Sequence, residues 1–220
     1  MDPTDRFVEL THGPAGSANL DEWAALVGVS FEPSASVERV LASLDEMAAD
    51  CQSTVESVMH RLFGPAGLRG NTSDYGDPRN SYLHHVVQRG QGIPITLGVV
   101  AIEVGRRAGV PIHGVGLPGH FVIGCDGRFA DPFHGPELYS VDEIESVWQR
   151  ASGIRQPLDP RLLGPVSPRS IVLRMLNNLK NTFVAMDDPV PLRTLATLRE
   201  AFPELAAERA EHARWLRHWN

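Results

Sequence analysis

The amino-acid sequence predicts an α+β fold in which a buried central helix feeds a small antiparallel sheet, with helices flanking this core on both sides. Three observations carry that expectation. Apolar residues at three- and four-residue steps dominate both ends of the chain, as in Val37, Val40, Leu41, Leu44, Met47, Ala48 and Cys51. A run from Ile95 to Val104 with hardly any polar face begins directly after Pro94, a residue suited to the first position of a helix, where its missing N–H costs nothing. Short apolar runs then follow, two of them joined by Cys125-Asp126-Gly127, a hairpin-turn signal.

Taken in order, the region 1–63 reads as helical. Leu20 to Val27 is a short helix with Asn19 or Asp21 as its cap. The Val37 stripe lies behind Ser34 or Ser36, and Val55, Val58, Met59, Leu62 and Phe63 continue it as a second helix. Gly64-Pro65-Ala66-Gly67 and Gly76-Asp77-Pro78 then mark a long loop. The core, 64–156, holds a short helix over Ser81 to Val87, a break at Gly90-Gln91-Gly92, and the helix opening at Pro94 and ending at Gly109. Strands are expected over Ile112 to Leu117, Phe121 to Gly124 and Arg128 to Phe133. Past the linker Pro157-Leu158-Asp159-Pro160, the region 157–220 carries a helix from Val172 to Met186 capped by Ser167 or Ser170. It is stopped by Pro189 and Pro191 and followed by helices over Leu192 to Phe202 and Leu205 to Trp219. This last part resembles a single tetratricopeptide-type hairpin, and one unit is too few for a repeat array, so a brace on the core is expected.

Composition sets the outer bounds. The net charge of −7 and the scattered Lys and Arg residues argue against a nucleic-acid partner. The longest apolar stretch, Ile93 to Ile102, is too short for a bilayer, and the first residues lack the pattern of an export signal. Two cysteines do not make a disulfide framework, so a soluble, cytoplasmic protein with no membrane partner is expected.

The chemistry concentrates at His120 and Asp131, eleven positions apart on what read as neighbouring strands. A carboxylate that accepts from one imidazole nitrogen fixes the tautomer and frees the other for proton transfer. The competing account is a buried pair that merely ties two strands together. Five motifs in order bear on that choice: Asp77-Pro78-Arg79-Asn80-Ser81-Tyr82-Leu83, Gly90-Gln91-Gly92-Ile93-Pro94-Ile95-Thr96-Leu97, Gly114 to Phe121, Asp131-Pro132-Phe133, and Leu173-Arg174-Met175-Leu176-Asn177-Asn178-Leu179-Lys180. Together they resemble the SirB-type branch of the transglutaminase-like proteins, a bacterial type, over about Asp77 to Lys180. The resemblance implies a papain-like core in which a cysteine opens the central helix and a histidine and an aspartate follow on adjacent strands.

Carried onto this sequence, the resemblance assigns His120 to the histidine, Asp131 to the aspartate and Pro94 to the cysteine's slot. Proline offers no nucleophile, and the nearest hydroxyl is Thr96, which needs a base and an oxyanion site to react and otherwise serves as a helix-end hydrogen-bonding residue. Cys51 reads as a small hydrophobe on a helix stripe, and Cys125 as an exposed turn residue. His84, His85, His113 and His134 read as surface or capping residues, since no His-x-x-x-His pair or cysteine cluster supports a metal; no cofactor is implied. Asn80 and Ser81 are candidate ligand contacts, with turn formation and capping as their plainer roles, and Pro118-Gly119 would let backbone approach a ligand.

Two functions follow as expectations. One is a binding or regulatory module, a possible pseudoenzyme, that takes a peptide, a small amide-bearing ligand or a partner protein in the cleft. The other is a hydrolase or acyl-transferase with His120 as general base, Asp131 as its orienter, and water or Thr96 as nucleophile.

Overall fold

The computed structural model describes residues 2–13 and 19–208. Four helices come first: α1 (Pro3–His12), α2 (Leu20–Phe31), α3 (Val37–Ala49) and α4 (Val55–Phe63). Ser36 and Thr54 cap the last two by accepting from the N–H groups of Arg39 and Ser57. α1, which the sequence reading passed over, is capped by Asp2 and has Pro3 at its start. α2 continues to Phe31, past the expected Val27.

Two short strands, β1 (Arg69–Gly70) and β2 (Gln91–Gly92), pair in parallel and bracket a 3₁₀ turn over Pro78–Ser81 and the helix α5 (Leu83–Arg89). α6 (Pro94–Arg107) follows with Pro94 at its first turn, and every residue from Pro94 to Ala101 is buried. Leu97, Val99, Val100, Ala101 and Val104 retain no exposed surface. Each Val or Leu side group buried in this way contributes roughly 1.5–3 kcal/mol, so this helix is the axis on which the fold is built. Its charged end is tied to α2, with Arg106 and Arg107 both reaching Asp21.

The sheet is an antiparallel meander in the order β3-β4-β5-β6: His113–Val115, Val122–Cys125, Arg128–Ala130 and Leu138–Tyr139. Asp126 and Gly127 both have positive φ and close a two-residue hairpin between Cys125 and Arg128. Cys125 corrects the expectation of an exposed turn residue: it ends β4 and is 2% exposed. Alternation along β4 divides the packing. Ile123 and Cys125 join the main core, whereas Val122 joins a second cluster with Ile144, Val147 and Trp148 of α7 (Val141–Ser152).

A further 3₁₀ turn over Pro160–Leu163 leads to α8 (Pro168–Met186), capped by Ser167, and then to α9 (Pro189–Glu200) and a 3₁₀ turn over Pro203–Glu208. Pro189 opens α9 rather than only stopping α8, because proline fits a helix start. The helix expected over Leu205 to Trp219 is 3₁₀ to Glu208, and its remainder lies outside the described residues. One apolar cluster runs from Phe7 to Phe202, so both helical ends share the core of the central part. Among the described residues, no helix is long and apolar enough to cross a membrane.

Candidate functional site

Local sequence places His120. Leu117-Pro118-Gly119-His120 forms a tight turn in which the N–H of His120 donates to Leu117 O (3.2 Å). Gly119 takes φ +67°, a conformation that L side chains rarely adopt. A β-carbon there would meet only Ser152 and Ile154 at ordinary distances, so within the protein the turn's conformation is what calls for glycine. Two side chains clamp this turn from outside. Trp148 Nε1 donates to Pro118 O (2.8 Å), and Arg174 Nη2 donates to both Leu117 O (2.9 Å) and His120 O (2.7 Å).

Phe121 then sets the depth. A β-carbon at Gly98 of α6 would fall 2.6 Å from its ring, and one at Gly114 of β3 also 2.6 Å, so the phenyl ring occupies space that two glycines vacate.

His120 and Asp131 stand outside the strands that the sequence suggested would carry them, His120 before β4 and Asp131 just after β5. Their side chains meet: His120 Nε2 lies 2.7 Å from Asp131 Oδ2, with both residues buried. The same oxygen receives His134 Nδ1 at 2.7 Å, while Asp131 Oδ1 accepts from Phe133 N–H at 3.1 Å. Burial works against the charge on Asp131, yet the hydrogen bonds and charges of His120 and His134 outweigh it and hold the carboxyl at about 2. The same bond raises His134 above its ordinary value. With Asp131 ionised, His120 presents an N–H at Nε2. Its Nδ1 has no protein hydrogen bond among the described residues.

His134 lies at the surface, as the sequence reading has it, and has a partner besides. It is exposed on one side, but its ring is a second donor to Asp131. The 2.7 Å separations are those of proton-sharing pairs, closer than the roughly 3.3 Å between donor atoms of a tetrahedral zinc. A second convergence, His84 Nε2 and His85 Nε2 on the Glu32 carboxylate at 3.0–3.2 Å, joins α5 to the end of α2; these two histidines also have partners that spacing did not reveal.

His120 opens on a cavity of about 400 Å³ lined by Tyr75, Pro94, Ile95, Gly119, His120, Phe121, Arg174, Asn177 and Asn178. Arg174, Asn177 and Asn178 stand at i, i+3 and i+4, one face of α8, which sequence reasoning missed although the spacing within Arg174-Met175-Leu176-Asn177-Asn178 held the signal. Pro94 and Gly119 are in the lining; Thr96, Asn80 and Ser81 are not.

The polar groups of Thr96 and Asn80 are occupied within the fold. Thr96 is fully buried, donates to Asn80 O (2.7 Å) and accepts from Ile93 N–H (3.2 Å), which closes the start of α6. Asn80 accepts from Asn71 Nδ2 (3.0 Å) and donates to Asp74 O (2.7 Å), holding the loop that carries Tyr75. Ser81 is buried in the 3₁₀ turn. Neither cysteine lines the cavity, and burial raises both thiols above their ordinary value, away from the reactive thiolate.

A family model described as the transglutaminase-like superfamily matches residues 17–177. A UPF0162 protein of Xylella fastidiosa (strain Temecula1) is 38% identical over 138 residues, 60% of this chain and 49% of that protein. UPF0162 protein PA3419 of Pseudomonas aeruginosa is 29% identical over 213 residues, 91% of this chain and 76% of the relative. F-box only protein 21 of Homo sapiens is 30% identical over 146 residues, 60% of this chain and 22% of that much longer protein. The chain spans about half the length of the first curated relatives it matches. No solved structure matches it.

Proposed function

Since the chain belongs to the transglutaminase-like superfamily, we propose that it is a binding or regulatory module whose cleft keeps a histidine backed by an aspartate beneath the wall, lacks a thiol among its lining residues, and takes a peptide or amide-bearing ligand. The carrying observation is the composition of the cleft wall. None of its nine residues is Cys, Ser or Thr, and the helix end that faces His120 offers Pro94 and Ile95. A histidine oriented for proton transfer with no thiol, serine or threonine hydroxyl in the same cavity supports recognition over acyl transfer. The domain-sized match to 22% of an F-box protein supports a module that works inside longer proteins. Within the superfamily, the five sequence motifs support the SirB-type branch, and the lack of a membrane-spanning helix among the described residues is compatible with the cytoplasmic setting expected from the sequence.

A second reading has its own support, the unpartnered Nδ1 of His120 beside space sufficient for water. In it the enzyme is a hydrolase: water is the nucleophile, His120 the general base, and Asp131 the residue that orients the ring. Thr96 drops out of this role because its hydroxyl proton is given to Asn80 O.

One experiment separates the two. The purified protein is screened against amide, ester and thioester substrates while histidine resonances are followed by NMR for ligand binding. Binding at His120 with no turnover is expected. Turnover that His120→Ala abolishes while folding stays intact would overturn the module reading in favour of the hydrolase.

A further inference from the structure

The charge of the cleft specifies its ligand further than its shape does. Arg174 rises from α8 into the cavity wall and is only partly exposed. Its Nη2 is spent on two backbone carbonyls, and its guanidinium stands 5.8 Å from the centre of the Phe121 ring. Among the described residues no Asp or Glu pairs with it, whereas Arg106, Arg107, Arg169 and Arg199 all have carboxylate partners. Gly116 has no side chain where Arg174 Nη1 passes; a β-carbon there would fall 2.8 Å from that nitrogen. Burial disfavours the charged form of Arg174, and nothing with a net negative charge offsets it.

The rest of the wall does not supply the missing charge. Among the described residues no acidic one lines the cavity, in a protein whose net charge is −7. Asp131 lies below the wall with its charge committed to two histidine N–H groups. The neutral donors point to the same chemistry. Asn177 Oδ1 is held by Arg199 Nη1 at 2.6 Å, which leaves the NH₂ end of that amide as its free end, and Asn178 stands beside it. One guanidinium with neutral amide donors matches a singly charged carboxylate.

We propose that the cleft recognises a peptide carboxylate, either an acidic side group or the free carboxyl end, through Arg174 with the Asn177 and Asn178 amides. This deepens the binding reading above and rests on it. Arg174 thereby has two tasks, holding the turn that presents His120 and meeting the ligand's charge.

The test titrates the isotope-labelled 220-residue protein with two peptide pairs while Arg174 Nε–H, the side-chain amides of Asn177 and Asn178, and the His120 ring are observed by NMR. One pair is Ac-Ala-Glu-Ala-NH₂ with its Gln isostere; the other is Ac-Ala-Ala-Ala-OH with its C-terminal amide. At least one acid should bind at the cleft about tenfold or more tightly than its neutral isostere, a preference that weakens with added salt. Which pair shows the preference identifies the source of the carboxylate. Arg174→Gln should bring that ratio close to one. Equal binding of acids and amides at the cleft would overturn the carboxylate inference and leave the binding module standing. No shift at the cleft with any of the four peptides would overturn both. Should Arg174→Gln lose its fold, the wild-type comparison of acid with isostere decides alone.

Discussion

Replacing Asp131 by Asn removes a charge that two histidines share, and its effect can be worked from the structure. Asp131 is held at about 2 against an ordinary 3.8. Each pH unit of such a difference is worth ~1.4 kcal/mol, so the ionised carboxylate contributes ~2–3 kcal/mol at neutral pH. The folded-state value is depressed, so this stability is fully present above 3.8 and is lost as pH falls through about 2. Near pH 3 roughly half should remain. His134 reports the same interaction from the partner's side and adds nothing to the sum. Its folded value is raised, so its share is complete below the ordinary 6.5 and fades as pH rises through that higher value. Urea denaturation of both proteins between pH 3 and pH 8 is the assay. The wild type should be more stable by ~2–3 kcal/mol around pH 5–6, with the gap narrowing toward both ends, and His134 should titrate lower in the variant by NMR. A gap that stays constant from pH 3 to pH 6, or an unchanged His134 titration, would refute the reasoning.

Other substitutions probe the scaffold of the site. Gly119→Ala forces a β-carbon into φ +67° and should cost ~1–2 kcal/mol by urea denaturation; no loss would mean that the turn does not need glycine. Thr96→Val takes the hydroxyl from between Asn80 O and Ile93 N–H, leaves them only their mutual 3.4 Å backbone hydrogen bond, and should cost ~1 kcal/mol, whereas Thr96→Ser should be close to wild type; equal melting of the two variants would remove the hydroxyl from the account. Gly98→Ala drives a methyl to within 2.6 Å of the Phe121 ring and should lower stability by ~1–3 kcal/mol, with shifted His120 resonances; an unshifted His120 spectrum would uncouple the ring from that helix.

Much of the scaffold was legible because it is local. Pro94 announced the start of α6, Ser36 and Ser167 the starts of α3 and α8, and Asp126-Gly127 the hairpin. α7 was equally legible and was passed over: Ser140 and Glu143 form a capping box ahead of Ile144, Val147 and Trp148. The contribution of His134 was harder to see. Three residues after Asp131, it turns back only because the backbone of 131–135 folds on itself, with His134 N and Gly135 N both donating to Asp131 O. Cys125 was misplaced because a strand's last residue and a turn's first differ by one position, while β4 is buried along its whole length, on both faces. The cleft-facing polar side of α8 was hidden by the apolar stripe that dominates the helix, in which Val172, Met175, Leu176 and Leu179 are all buried.

The phenyl ring wedged between Gly98 and Gly114 acts as a gauge block for the cleft. Its backbone neighbour is His120, and Pro94 lies one helical turn before Gly98, so the ring sits between the helix that carries one lining residue and the strand beside the other. A bulkier ring at 121, or a methyl on either glycine, presses α6 and β3 apart. The aperture offered to a ligand is thus dimensioned by a residue whose other task is to fill the core, and tuning recognition in this protein means repacking its interior.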